Sequence, residues 1–289
     1  MKNVTEDKEF VSTRHRDAEP DTFDPSVPRL GRRESEPHSA EITYLHDVLI
    51  ANFPEDRTIW DLHHYFNVAE LEIDIQFDIS YFRGLKIPYT LASYHANKFD
   101  NKVPTMAINI LSKSTWRSDF AEKPEYCRLL EIPLYISFPP YHVTKNIFKP
   151  PFIRAYILQN NGTYQIHELR EITITESGEW NHNAIIDVSE IVPFRIGLRK
   201  REQKHQGDES LYRLILIDPE NEVILLTEKE QKEQELTQKE QELTQKEQEL
   251  AQKEQELTQK EQELAQKDQR IKDLKTEILK MKEELNTKN

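Results

Sequence analysis

Apolar residues change their spacing several times along this chain, and each change marks an element. Tyr44, Leu45, Val48, Leu49 and Phe53 recur at helical spacing, as do Ile59, Leu62, Tyr65 and Phe66. Leu71, Ile73, Ile75, Phe77 and Ile79 then alternate with Glu72, Asp74, Gln76, Asp78 and Ser80. That period of two predicts a strand with one apolar face, and places Asp78 on the polar face with Asp74 and Glu72. Met106–Leu111 is a short apolar run bounded by Pro104 and Ser112, as expected of a central strand. Ser118 can cap a helix running to about Leu130, and Leu134–Phe138 follows as a strand.

Further strands are expected at Ile153–Leu158, Tyr164–Leu169 and Ile172–Thr175, with Asn160-Asn161-Gly162 as a hairpin turn. A last hairpin joins Tyr212–Ile217 to Val223–Leu226 through Asp218-Pro219-Glu220-Asn221. This order of helices and strands predicts an α/β (α+β) fold, with a mixed central sheet flanked by helices.

The two ends read differently. Residues 1–40 are polar, contain Pro20, Pro25, Pro28 and Pro37, and have the composition of a disordered tail. Residues 233–267 are five copies of Glu-Gln-Glu-Leu-(Thr/Ala)-Gln-Lys. Leu236, Leu243, Leu250, Leu257 and Leu264 take heptad position a, and Ile271, Ile278 and Leu285 keep the phase. Position d is Lys in the repeats (Lys239, Lys246, Lys253, Lys260, Lys267) and apolar only at Leu274 and Met281. Residues 227–289 are therefore a long charged helix. Its repeats suit a single solvated helix, while Ile271–Leu285 carry the signal for a coiled coil and homo-oligomer. The expected domains are 1–40, 41–226 and 227–289.

Composition narrows the function classes. The net charge is −13, and between residues 41 and 226 it is −7, so the chain lacks the basic excess of a duplex binder. The most basic stretch is Arg195, Arg199, Lys200, Arg201 and Lys204. It reads as a solvated loop, or as a contact to a phosphate backbone. Arg32 and Arg33 offer a weaker version of the same contact. Cys127 is the single cysteine, which excludes an intrachain disulfide and fits a cytoplasmic protein. No apolar run is long enough to span a membrane, and the N-terminus MKNVTEDKEF lacks a signal core. His63, His64 and His142 lack partners at zinc spacing, and there is no Gly-rich phosphate loop.

Pro104–Tyr135 combines a strand, a Ser-Lys-Ser-Thr turn, a helix with Asp119 and Lys123 four residues apart, and Ile-Pro-Leu-Tyr. This segment resembles the core of the Uma-two family of restriction endonucleases, in the PD-(D/E)XK nuclease superfamily. The likeness extends loosely over Tyr44–Leu226, with a second specific match in the closing Leu-Ile-Asp-Pro-Glu-Asn hairpin. It implies a restriction-endonuclease-like core and Mg2+-dependent cleavage of DNA. Asp78 would be the first metal ligand, Asn109 would stand where the family has Glu, and Lys123 would position the attacking water; Tyr126 matches the family's Tyr.

Two departures follow from the match. Asn109 supplies a neutral carbonyl oxygen in place of a carboxylate, which weakens Mg2+ binding and removes a general base. Pro124 interrupts the helix beside Lys123. They motivate an alternative: a non-catalytic nuclease-fold scaffold that oligomerises through its C-terminal helix. The two readings part on whether Asp78, Asn109 and Lys123 converge.

Overall fold

The computed structural model describes residues 36–113, 115–143, 148–201 and 210–287. The Arg32–Arg33 pair, Lys204 and most of the tail expected at 1–40 lie outside them. Helix α1 spans Glu36–Asn52, across the boundary expected at 41. Ile42, Tyr44, Leu45, Val48 and Leu49 form its buried face.

Strands β1 (Arg57–Val68) and β2 (Leu71–Phe82) make a long antiparallel hairpin. The helix expected around Ile59–Phe66 is thus a strand. Its spacing of apolar residues fits both periods, and Thr, Ile, Trp, Tyr, Phe and Val favour the extended form once β2 is there to pair with. Tyr94–His95 forms the short β3, followed by a 3-10 turn at 96–98. Met106–Ile110 is β4, Leu134–Phe138 is β5, Ile153–Leu158 is β6 and Tyr164–Leu169 is β7. Together they build a mixed seven-stranded sheet in the order β3-β1-β2-β4-β5-β6-β7, with β4 at its centre. The parallel pair β4–β5 is joined by helix α2, Trp116–Leu129. Thr115, not Ser118, occupies its N-cap position.

A second, two-stranded sheet pairs β8 (Arg195–Lys200) with β9 (Tyr212–Ile217). The sequence reading missed β8, because its arginines mask the alternation of buried Ile196 and Leu198. Its glycine is required by packing. A Cβ on Gly197 would lie 2.5 Å from Thr173 Oγ1, which accepts the Leu198 N–H. Residues 172–175 and 223–226 make single bridges rather than full strands: Ile174 with Trp180 and Arg199, and Ile224 with Ile217.

Apolar cores cover both faces of the large sheet. On one, Ile79, Ile108, Ile136 and Phe138 pack with α1 and with β8–β9. On the other, Phe77, Ala107 and Tyr135 pack with Cys127 of α2. Glu41 of α1 is fully buried beneath Arg201 at 3.1 Å and Arg213 at 3.3 Å. Burial raises its carboxyl pKa, against the pull of Arg213 and Arg201. The basic cluster is spent on such pairs: Arg195 with Asp187, Lys200 with Glu176, and Arg199 with Glu230 at 3.8 Å. Arg195, Arg199 and Lys200 therefore lie on a strand and not in the expected loop.

Helix α3 runs unbroken over Glu228–Thr287, 60 residues and about 90 Å. It opens on a reciprocal cap. The Glu230 N–H donates to Thr227 Oγ1 at 3.2 Å, and the Thr227 N–H donates to the Glu230 carboxylate at 2.9 Å. The five repeat leucines are each about 60% exposed. No helix among the described residues is long and apolar enough to cross a membrane.

Candidate functional site

The site grows from an irregularity in the β1–β2 hairpin. Ile73, Ile75 and Phe77 belong to the core on the α2 side, yet Ile79 and Tyr81 belong to the core on the α1 side. All five share one parity, so β2 changes face at Asp78. On β1, Ile59 lies on the α2 side, and so do Leu62 and Phe66 of the other parity, so β1 changes face as well. The ladder pairs Trp60 with Ile79 and Leu62 with Phe77, and the position between them holds Asp61 in the left-handed region at φ 45°.

This break corrects one expectation. Asp78 does not lie on a solvated acidic face with Asp74 and Glu72, which are exposed. It is buried, at 9% exposure. Strict alternation cannot reveal this, because it assumes a pleat without interruption.

The neighbouring strand completes the placement. β2 pairs with β4 as Ile79 with Ile108, and one further step sets Asp78 level with Asn109. Asp78 Oδ2 accepts the Ile110 N–H at 2.6 Å and lies 3.4 Å from His38 Nε2 of α1. Asn109 shares its face with Ala107, toward α2, and its Nδ2 donates to Asp119 Oδ1 at 3.2 Å. The Lys123 ammonium lies 2.8 Å from the same Asp119 oxygen. The sheet holds the start of α2 from below: Tyr135 Oη and Ser137 Oγ donate to the Asp119 carbonyl at 2.9 and 3.2 Å.

Burial works against the Lys123 charge, but the Asp119 and Asp78 carboxylates outweigh it and hold its pKa above the usual lysine value. Asn109 and Lys123 therefore meet at Asp119, and Asp78 stands on the neighbouring strand with its charge acting on Lys123. Pro124 sits inside α2 without displacing the Lys123–Asp119 pair. Tyr126 packs at the edge of the core on this face.

Two residues were not foreseen as part of this locus in these roles. Asp119 is the fully buried hub that both Asn109 and Lys123 contact. His38 lay in the segment read as a tail. A signal for Asp119 existed in its spacing to Lys123; none existed for His38, because its approach to Asp78 spans forty residues.

The chemistry of the locus is that of hard oxygen donors beside a lysine. Asn109 Oδ1 and Asp119 Oδ2 are buried without hydrogen-bond partners, so each has a lone pair to offer. Carboxylate and amide oxygens suit Mg2+. The set is short of negative charge: among the described residues, no group of three or more His, Cys, Asp or Glu could hold a metal ion.

No family model matches this chain, and no curated protein sequence matches it. Among solved structures it is similar to the crystal structure of "a putative nuclease belonging to DUF820 from Anabaena variabilis ATCC 29413". The two are 17% identical over 48% of this chain and 70% of that one, with a TM-score of 0.35. A likeness of that degree assigns no activity.

Proposed function

We propose that this protein is a divalent-metal-dependent endonuclease of the Uma-two type, with weakened cation binding. The observation that supports the reading is the meeting of Asn109 and Lys123 on the buried Asp119, beside Asp78 on the neighbouring strand. Asp78 and the Asn109 carbonyl oxygen would hold Mg2+, which when bound polarises a phosphodiester and acidifies water. Lys123, kept protonated by its two carboxylates, orients water or steadies negative charge on the phosphate. Asp119 positions Lys123 and Asn109 together. DNA is the expected substrate, and the cytoplasm the expected compartment.

The test is plasmid nicking in Mg2+ or Mn2+ by the wild type, Asn109→Glu and Asp78→Asn. Cleavage by the wild type or by Asn109→Glu, abolished by Asp78→Asn, supports the reading. No cleavage by wild type and Asn109→Glu alike rejects it.

A second reading has its own observation. The row Leu236, Leu243, Leu250, Leu257, Leu264, Ile271, Leu274 and Ile278 is exposed along one continuous helix. A scaffold that joins copies through Ile271–Leu285 would cover the lower part of that row.

A further inference from the structure

The turn from α1 into β1 and the segment after β2 enclose a pocket of about 350 Å3, lined by Pro54–Arg57 and Leu85–Tyr89. It is separate from the Asp78 locus. Arg57 pairs with Phe82, four residues beyond Asp78 along β2, or about 13 Å of strand.

Arg57 is only 7% exposed. Its Nη1 donates to the Thr58 carbonyl at 2.7 Å and its Nη2 to the Tyr89 carbonyl at 3.4 Å. Its Nε–H is buried and has no partner. The centre of the Tyr89 ring lies 4.3 Å from the guanidinium carbon, while Tyr89 as a residue is 74% exposed.

Among the described residues, no carboxylate pairs with this cation. The adjacent Asp56 is already committed, one oxygen to the Gly84 N–H at 2.8 Å and the other to the Tyr81 hydroxyl. Burial lowers the Arg57 pKa, and only Tyr89 acts in the opposite sense. A buried cation without a counter-charge is costly. Here it lines a pocket open to a ligand.

We propose that this pocket binds a phosphate group, with the Arg57 guanidinium as its buried cation and Tyr89 as its outer wall. Lys86 also lines the pocket and is exposed, so a second positive charge can reach the ligand. Two cations suit a dianion better than a monoanionic carboxylate. Glu55, the remaining acid of the lining, is exposed to solvent.

The experiment is calorimetric titration of the full chain with inorganic phosphate, phenyl phosphate and acetate. Saturable binding of phosphate is expected, with acetate at least tenfold weaker. Tighter binding of phenyl phosphate identifies an ester as the ligand; tighter binding of inorganic phosphate identifies the free ion. Arg57→Gln should weaken binding at least tenfold and Tyr89→Ala severalfold. Circular dichroism checks the fold, and if Arg57→Gln is unfolded, Tyr89→Ala decides. Asp78→Asn should leave binding unchanged, which separates this pocket from the proposed nuclease site. Absence of saturable phosphate binding to the wild type overturns the proposal. So does binding that survives in the folded variants, or acetate binding as tightly as phosphate.

Discussion

Asn109 Nδ2 donates to Asp119 Oδ1 at 3.2 Å, so a neutral amide on the central strand holds a buried acid of α2 in position. The same oxygen receives the Lys123 ammonium at 2.8 Å. One carboxylate oxygen therefore joins the sheet to the helix. An amide can serve there without adding charge; a carboxylate could not donate to Asp119 at all.

Replacing Asn109 with Glu sets a second acid against Asp119 in a buried site. Without a cation, Asn109→Glu should unfold more easily by about 3 kcal/mol, because like charges are confined where water cannot screen them. Mg2+ or Mn2+ at millimolar concentration should return most of that loss. Thermal melts of both forms, with and without the metal, check this. Equal metal responses in wild type and variant would contradict the placement of the cation.

His64 gives the fold an acid sensitivity. It is fully buried among Phe77, Phe82 and Tyr94, donates from Nδ1 to the Leu62 carbonyl and pairs through Nε2 with Ser80 Oγ, at 2.8 Å each, and its pKa is lowered by burial to about 4. Above its unfolded value near 6.5, neither state binds the proton and the contribution is complete. Between 6.5 and about 4 only the unfolded chain binds it, so stability falls as pH drops. The loss should total about 3 kcal/mol. Urea unfolding from pH 7 to 4 should show this slope, and His64→Gln should flatten it.

The hairpin break predicts an unusual tolerance at Asp61. With φ at 45°, Asp61→Gly should be close to neutral, whereas Asp61→Val should cost about 1–3 kcal/mol. The valine should also disturb the locus, since Asp78 lies opposite the break. Chemical denaturation of the two variants decides it, and an equal cost for both would remove the strain argument.

Helix α3 should separate into two parts by truncation. Ending the chain after Lys267 removes Ile271, Leu274, Ile278, Met281 and Leu285, the stretch with both seam positions apolar. The full chain should self-associate in light scattering and the truncated chain should not, with the rest of the chain still folded. An oligomer that persists in the truncated chain would move the interface out of the helix.

Legibility in the sequence varied with how local each feature was. Periodicity located β2, β4, β5, β6, β7 and β9 to within a few residues, and the second half of α1, because their apolar positions repeat without interruption. β1 was read as a helix and β8 as a loop. Aromatic residues at ambiguous spacing, and arginines between buried positions, hid strands that only their partners reveal. Asp78, Asn109 and Lys123 came from resemblance. That Asn109 and Lys123 meet beside Asp78 depends on the β2–β4 register and on α2 lying over the face that carries Asn109.

By itself the sequence determined the long charged helix: a heptad of i,i+4 pairs needs no tertiary partner to propagate, and α3 runs as one helix from a Thr-x-x-Glu cap. It also determined the residue types available for chemistry. Only the tertiary structure decided that Asp78 leaves the polar row and turns inward, because the two strands change face together at Asp61 and Asp78. That change depends on two cores competing for alternate residues of one hairpin, a competition that involves segments far apart in the chain.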